Sequence, residues 1–499
     1  NRAKYSDVFP TIFIINYPQM YNKFGQFIDG KWTSSEKKET YEVINPATEE
    51  IIGKASKAGP EDVKRALKSA EKGFALWKKT SPWERSSIIR KIADLMRKKN
   101  ETLAKWITLE VGKPLTESRG EVNTAADIFE WNAEETKRIY GQTVESRFPN
   151  TRVHVYYQPV GVVAALVPWN FPVILASRKI STALAAGCSV ICKPDVIAPG
   201  SVMEIMNIIK EAGVPPGVVN LLSGDPASIS SQLISSNIIK KVSITGSTRV
   251  GKLILKQAAE KVQRVTMELS GHAPFIVFDD VNIDKVTDMA ILAKFRNNGQ
   301  VCISPSRFYI HEDKKDNFTK LFVEKTKKLK IGNGLREENQ LGPMTTKKRL
   351  EEVETLVEKT KEEGAKILCG GKRPAGFNKG YFYEPTVFDN VKDNFTIMKQ
   401  EPFGPLVPIT TFKNYDEVIE RANNHELGLA SYVYTNSMER AHKSSEMLET
   451  GVVAVNTPVV AIAEAPFGGI KQTGYGREGG SMGIKDYLNI KYTHLGITN

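Results

Sequence analysis

The sequence predicts an α/β protein, with two doubly wound α/β domains and a small outlying β ribbon. Three patterns carry that expectation. Across residues 160–270, short apolar runs alternate with helical stretches of about ten residues or more. Such alternation implies right-handed crossovers and a parallel sheet covered on both faces. From Gly271 onward a second alternating series begins. Residues 151–157 and 487–494 are strand-like without long flanking helices, and such runs pair as a ribbon with an exposed edge.

The elements follow in chain order. Residues 61–76 and 81–107 are charged amphipathic patterns that read as helices packed on the first sheet. The strands of that sheet are read at 160–167, 189–192, 218–222, 241–244 and 265–269. The apolar stretch 160–176 is interrupted by Gly161, Pro168, Asn170 and Pro172, which hydrocarbon would punish, so it reads as a buried strand and turn. In the second series 274–278 is a strand, a helix ends near Arg296, 308–310 is strand-like, and 321–329, 350–363 and 415–423 continue the pattern. The first domain is therefore drawn over 1–150 and 160–270, the second over 271–480, and the ribbon over 151–159 and 481–499. A ribbon edge needs a partner, so a homo-oligomer, dimer or tetramer, is expected.

Composition narrows the function. Hydrophobic residues make up 41% and charged residues 25% of the 499, an ordinary globular balance. The net charge of +12 comes from clusters such as Arg97-Lys98-Lys99 and Lys347-Lys348-Arg349, each within a helical pattern. No aromatic residues interleave with them, so they read as solvated faces and no nucleic-acid partner is expected. Four cysteines are too few for a disulfide framework and match no zinc spacing, which fits a reducing, cytoplasmic setting. The six histidines are scattered, and no structural metal is expected. No charged-then-apolar leader pattern is visible.

Cys302 is the best candidate nucleophile, because it lies between a helical pattern and a strand, where a thiol is presented rather than buried. Thiolate attack on a carbonyl carbon needs an oxyanion stabiliser. Asn170, stiffened by Pro168 and Pro172 at the end of the first parallel strand, offers a side-chain amide that could act with the Cys302 backbone N–H. Releasing an acyl group from sulfur needs an activated water. Glu268, between Met267 and Leu269 in a buried strand pattern, would have its pKa lifted toward a general base's range. The turn Thr245-Gly246-Ser247 opens a helix whose free amides can face a phosphate, although such a turn alone is more often plain capping.

Seven segments occur in order: Pro168-Trp169-Asn170-Phe171-Pro172, Lys193-Pro194, Thr245-Gly246-Ser247, Met267-Glu268-Leu269-Ser270-Gly271, Gly299-Gln300-Val301-Cys302, Glu401-Pro402-Phe403-Gly404-Pro405 and Pro466-Phe467-Gly468-Gly469. In order and spacing this set resembles the aldehyde dehydrogenase superfamily over nearly the whole chain. The resemblance implies that superfamily's fold, with the first domain binding cofactor, the second carrying catalysis and the ribbon serving oligomerisation. It also implies NAD(P)-dependent oxidation of an aldehyde to a carboxylate. Cys302 would form a thiohemiacetal, Asn170 would hold its oxyanion, and Glu268 would activate the water that hydrolyses the thioester. Lys193, Glu401 and Phe403 match positions for the two riboses, Gly246 and Ser247 the pyrophosphate-side helix start, and Trp169 a cofactor contact. Val196 stands where many NAD-preferring members carry glutamate, so NADP is not excluded. Asp195 could take over if turned inward, and the preference stays open with a slight lean to NAD.

Residues 294–297, 273–280 and 476–492 look most like the succinate-semialdehyde dehydrogenase branch. Arg178 and Arg296 match that branch's carboxylate-binding arginines, so succinate semialdehyde or a related carboxylated semialdehyde is the implied substrate. The branch's serines are replaced by Val459-Val460-Ala461-Ile462, which leaves a longer semialdehyde or a broader aldehyde range open. A catalytically inactive binding or structural protein of the same fold is the other alternative. Ser304 replaces a second cysteine found in some members, so no redox disulfide at Cys302 is expected. His272 reads as a packing or hydrogen-bonding residue.

Overall fold

A computed structural model describes residues 20–497. The N-terminal region supplies strands β1 (Gln26–Ile28), β2 (Lys31–Thr33), β3 (Thr40–Ile44) and β4 (Ile51–Ser56), then helices α1 (Pro60–Trp77), α2 (Pro82–Lys98), α3 (Asn100–Val111) and α4 (Leu115–Glu135). The pattern at 81–107, expected as a continuous helical stretch, is divided at Lys99. Asn100 bonds the Arg119 carbonyl at 3.1 Å and Asn123 at 2.8 Å, which draws the chain off the helical path.

After β5 (Gln142–Glu145) and β6 (Thr151–Pro159), the chain alternates β7 (Val162–Leu166), α5 (Pro172–Ala186), β8 (Ser189–Lys193), α6 (Pro199–Ala212), β9 (Val219–Leu221), α7 (Pro226–Ile234), β10 (Ile239–Thr245), α8 (Thr248–Ala259) and β11 (Arg264–Glu268). The sheet order is β11-β10-β7-β8-β9-β1-β2. Its five βα strands are parallel as expected, but β1 joins β9 antiparallel and carries β2, an extension the sequence reading did not include. β7 and β8 are buried at every residue because helices cover both faces. Ala176, expected in a turn, lies in α5. Pro172 occupies the first turn of that helix, where its missing N–H costs nothing. The chain runs outward from β7 in both directions, so β7 and β10 flank the crevice where strand order reverses.

The second series gives β12 (Ala273–Val277), α9 (Ile283–Phe295), β13 (Pro305–His311), α10 (Lys315–Thr326), α11 (Lys347–Glu362), β14 (Lys366–Cys369), β15 (Thr386–Asp389), the short α12 (Thr396–Lys399), β16 (Leu406–Phe412), α13 (Tyr415–Asn423), β17 (Leu427–Gly428), β18 (Ala430–Tyr434), α14 (Met438–Met447), β19 (Val452–Val455) and β20 (Ile470–Lys471). Seven of these strands form a sheet ordered β14-β15-β16-β13-β12-β18-β19, parallel except at β14. Its centre is aromatic: Phe275 is fully buried with its ring centroid 5.0 Å from Phe308 and 4.7 Å from Tyr434.

Two features join the sheets. β21 (Leu488–Gly496) pairs antiparallel with β6 from Leu488↔Pro159 to Gly496↔Thr151, as expected of the ribbon. β5 adds a third strand on the other side of β6, inside the range drawn for the first domain; all four of its residues are exposed, so no apolar alternation marked it. The second feature is a cover on β11, the sheet's outer strand. The Met267 N–H donates to Tyr475 O at 2.9 Å and the Leu269 N–H to Thr473 O at 2.8 Å. Only glycine fits at Gly474, whose φ is 115° and where a Cβ would sit 2.4 Å from the Met267 carbonyl oxygen.

Phe275→Ala should lower stability by roughly 3–5 kcal/mol, because a full aromatic side chain leaves a packed core. A fall in denaturation midpoint with unchanged far-UV dichroism is the expected result, and an unchanged midpoint would contradict this account of the core.

Candidate active site

The carboxyl ends of β7, β10 and β11 open onto a cavity of about 380 Å³. Pro168, Trp169 and Asn170 line it from the loop after β7, Thr245, Gly246 and Ser247 from β10, and Leu269 and Ser270 from β11. Cys302, Arg349, Glu401 and Phe403 close it from the side of the second sheet.

Cys302 reaches this position through an abrupt turn. Helix α9 ends at Phe295, and Asn297, Asn298 and Gly299 follow with φ of 46°, 55° and 75°. The left-handed run is costly for the two asparagines but reverses the chain within one turn. A Cβ at Gly299 would meet the Gly404 carbonyl oxygen at 2.2 Å, so this turn also packs against the loop carrying Phe403.

The Cys302 thiol donates to Glu268 Oε1 across 3.5 Å. Glu268 ends β11 and is 2% exposed. Burial pushes its carboxyl up to about 7, assisted by the negative charge of Glu478 and opposed by Lys179 and Arg178. Burial also lifts the thiol well above its ordinary range, and Glu268 and Glu401 add to the effect. The Asn170 side chain is buried and donates from Nδ2 to the Gln300 carbonyl at 3.3 Å, which ties the β7 loop to the turn before Cys302. Cys302 and Asn170 thus line the cavity, and Glu268 lies behind its wall in contact with the Cys302 thiol.

Of the residues expected to hold cofactor, Trp169, Gly246, Ser247, Glu401 and Phe403 line this cavity. Ser247 caps α8, accepting from the Val250 N–H at 3.4 Å, and leaves first-turn amides available to an anion. Trp169 and Phe403 meet edge to face at 5.8 Å, and Glu401 accepts from the Gly271 N–H at 3.3 Å. An aromatic pair, a carboxylate acceptor and a helix N-terminus suit the ring, ribose and pyrophosphate of a nicotinamide dinucleotide. Lys193 ends β8 with its side chain buried, and Val196 lines a separate cavity of about 630 Å³. Asp195 is half-buried and accepts from the Ile197 N–H at 3.0 Å; burial raises its carboxyl while Lys193 opposes the rise.

Arg178 and Arg296 do not line the Cys302 cavity. Arg178 lies on α5, 2% exposed, 5.0 Å from the Phe467 ring, with Nη1 unpartnered. Arg296 follows α9 and stands 5.4 Å from the Phe171 ring. Among the described residues neither guanidinium forms an ion pair with a carboxylate within 4.0 Å.

A family model for the aldehyde dehydrogenase family matches residues 32–493. The chain belongs to the aldehyde dehydrogenase family. Among its curated relatives, the glutarate-semialdehyde dehydrogenase of Pseudomonas putida is 41% identical over 471 residues, covering 94% of this chain and 97% of the relative. The NADP(+) succinate-semialdehyde dehydrogenase of Escherichia coli is 40% identical over 470 residues, covering 94% and 97%. A crystal structure of succinate-semialdehyde dehydrogenase from Burkholderia pseudomallei superposes with a TM-score of 0.93 at 40% identity, covering 95% of this chain and 98% of that one. This aldehyde dehydrogenase is accordingly an NAD(P)-dependent oxidoreductase.

Sequence reasoning missed two sets of residues around the site of this aldehyde dehydrogenase. Lys179 Nζ donates to Thr245 Oγ1 at 2.7 Å and to Glu478 Oε1 at 2.5 Å, while Thr245 Oγ1 donates to Glu268 Oε2 at 3.4 Å. Lysine beside Arg178 in the stretch 172–186, where the other residues are apolar or small hydroxyls, was the available signal, since such a charge needs a buried partner. Arg349 donates to the Phe403 carbonyl at 3.1 Å and stacks 5.3 Å from its ring, holding Phe403 at a φ of 40°. No motif marks it. His272 is buried and bonds Ser306 Oγ at 2.6 Å, a hydrogen-bonding role as expected.

Replacing Glu268 with glutamine removes one of the negative charges that hold the thiol up, so the Cys302 pKa should fall. Alkylation of Cys302 by iodoacetamide in the cofactor-free protein should therefore reach half-maximal rate at lower pH than in wild type. A midpoint moved upward would show that the 3.5 Å contact does not govern the thiol.

Proposed function

We propose that this enzyme oxidises succinate semialdehyde or a related carboxylated semialdehyde through a covalent acyl-cysteine. The observation that carries the substrate class is the pair of guanidinium groups without acid partners, one of them buried. A buried, unpaired cation is costly unless an anion arrives to meet it. The names of the relatives agree, since they oxidise glutarate, succinate and, in the 41% identical Pseudomonas putida relative, 3-sulfolactaldehyde substrates. Each carries an anion distal to its aldehyde. Val460 and Ala461, packed against the core, provide apolar surface, which suits a substrate longer than succinate semialdehyde as well.

In the proposed sequence Cys302 adds to the aldehyde carbon as its proton passes to Glu268. The Asn170 amide and the Cys302 N–H hold the resulting oxyanion of the thiohemiacetal. A bound nicotinamide dinucleotide would supply the hydride acceptor, and Trp169, Gly246, Ser247, Glu401, Phe403, Lys193 and Val196 would hold it. Collapse of the oxyanion expels the former aldehyde hydrogen as hydride and leaves a thioester. Glu268 gives the thiol's proton up to solvent and, ionised again, takes a proton from water, whose oxygen attacks the acyl carbon and releases the carboxylate and Cys302. The cofactor is NAD or NADP, with a slight lean to NAD because the charge of Asp195 near Lys193 opposes a 2′-phosphate. We assign 160–270 with the N-terminal region to cofactor binding and 271–480 to catalysis. The ribbon is assigned to assembly of a homo-oligomer, supported by exposed Ile490 and Tyr492 on β21. Free cysteines suit a cytoplasmic location, and among the described residues no helix is long and apolar enough to cross a membrane.

The substrate assignment is tested by comparing succinate semialdehyde, glutarate semialdehyde and plain aliphatic aldehydes with wild type, Arg178→Ala and Arg296→Ala. Each variant should lose roughly 10- to 100-fold in kcat/KM for the carboxylated substrates, the worth of a hydrogen bond to a charged group, and much less for plain aldehydes. Unchanged ratios would refute the carboxylate clamp.

The water-activating step has its own signature. Glu268 works as a base only when ionised, so the hydrolysis rate of the acyl-enzyme should rise with pH through about 7. Glu268→Gln should abolish that limb, and a limb that survives would assign the base elsewhere.

A further inference from the structure

Lys113 lies immediately beyond helix α3, where Gly112, with φ of 88°, turns the chain out of the helix. It is 1% exposed, and its ammonium meets three groups. Glu121 Oε2 accepts at 2.5 Å, the Asn170 carbonyl accepts at 2.8 Å, and the centroid of the Phe171 ring is 3.5 Å away. The other Glu121 oxygen accepts from the Val173 N–H at 2.9 Å and the Ile174 N–H at 3.3 Å, two first-turn donors of α5. One helical turn earlier on α4, Glu117 Oε2 accepts from the Asn297 N–H at 2.7 Å. Asn297 Nδ2 in turn donates to the Asn170 carbonyl at 3.1 Å.

The Asn170 carbonyl is thus held from two directions, by Lys113 from the α3–α4 junction and by Asn297 from the turn that delivers Cys302. A buried ion pair is a poor source of stability, since an apolar pair of similar volume often does as well or better. What this one supplies is a fixed position for the peptide at Asn170 relative to the nucleophile turn. We propose that Lys113, paired with Glu121 and aided by Glu117, is a positioning residue that aims the Asn170 amide at the carbonyl oxygen bound to Cys302. The inference rests on Asn170 being the oxyanion donor.

The test measures the pre-steady-state burst of NAD(P)H in the full-length enzyme with saturating aldehyde. Lys113→Met alone leaves Glu121 unpaired and should lower both the melting temperature and the burst rate. In Lys113→Met/Glu121→Gln neither member of the Lys113–Glu121 pair is left as a lone buried charge, and glutamine can still accept from Val173 and Ile174. Its melting temperature and cofactor Kd should return to near wild type, while the burst rate stays lower by roughly 10- to 100-fold, as expected for a misplaced catalytic group. Recovery of the burst rate together with stability would overturn the proposal and leave Lys113 a structural residue. Asn170→Ala should itself slow the burst roughly 100- to 1000-fold. Adding the Lys113/Glu121 pair of changes to it should cost less than about 2-fold more, because residues acting through one group are not additive. Losses that multiply would show that Lys113 acts independently of Asn170. A normal burst in Asn170→Ala would instead remove the oxyanion assignment, and the positioning role with it.

Discussion

The site depends on the closure of one sheet edge. β11 is the outermost strand of the first sheet, and an open edge would leave its backbone wet and Glu268 near solvent. Two main-chain hydrogen bonds from Thr473 and Tyr475 prevent this, with Gly474 allowing the backbones to touch. The same segment leads to Glu478, which with Lys179 forms the buried pair that sets the field around Glu268. Closing the edge therefore also produces the desolvation that lifts the carboxyl. Without that cover, Glu268 would be an ordinary ionised surface acid.

The alternating elements were legible in the sequence because apolar strands of a covered parallel sheet contrast strongly with their amphipathic helices. The five parallel strands of the first sheet, the aromatic strand at 273–277 and the pairing of 151–159 with 488–496 all follow from that contrast. β5 and the β1–β2 hairpin did not, being short and, for β5, wholly exposed. Within the site, Cys302, Asn170 and Glu268 were legible because their chemistry demands particular residue types at strand ends. Lys113, Lys179 and Glu478 were not, because a buried charge declares itself only when its partner is known: Lys179 and Glu478 are 299 residues apart, and Lys113, although only 8 residues from Glu121, is buried by a tertiary contact with Asn170 that no local pattern marks.

Charge burial separates two kinds of group in this interior. Lys113 with Glu121 and Lys179 with Glu478 are satisfied inside the protein, so their energy is spent on geometry. Arg178 and Arg296 lean on aromatic rings and make no carboxylate ion pair within 4.0 Å, feeling Glu268, Glu478 and Glu117 only at longer range, so their hydrogen-bonding capacity remains open to a ligand. A polar interior can thus be divided into scaffold and recognition by asking which charges are already neutralised.

The cover over β11 has a consequence for how the enzyme comes into being. Its donors and acceptors meet across roughly two hundred residues of chain, and the ribbon strands across more than three hundred, so both are late, high-contact-order closures. During synthesis the first sheet can assemble and Cys302 can emerge while β11 still lacks its lid. The growing chain at that stage carries the Cys302 thiol beside a solvated carboxylate of ordinary proton affinity. Docking of Thr473 and Tyr475 on β11 completes the surroundings of Glu268, and a chain that ends before Thr473 never acquires them.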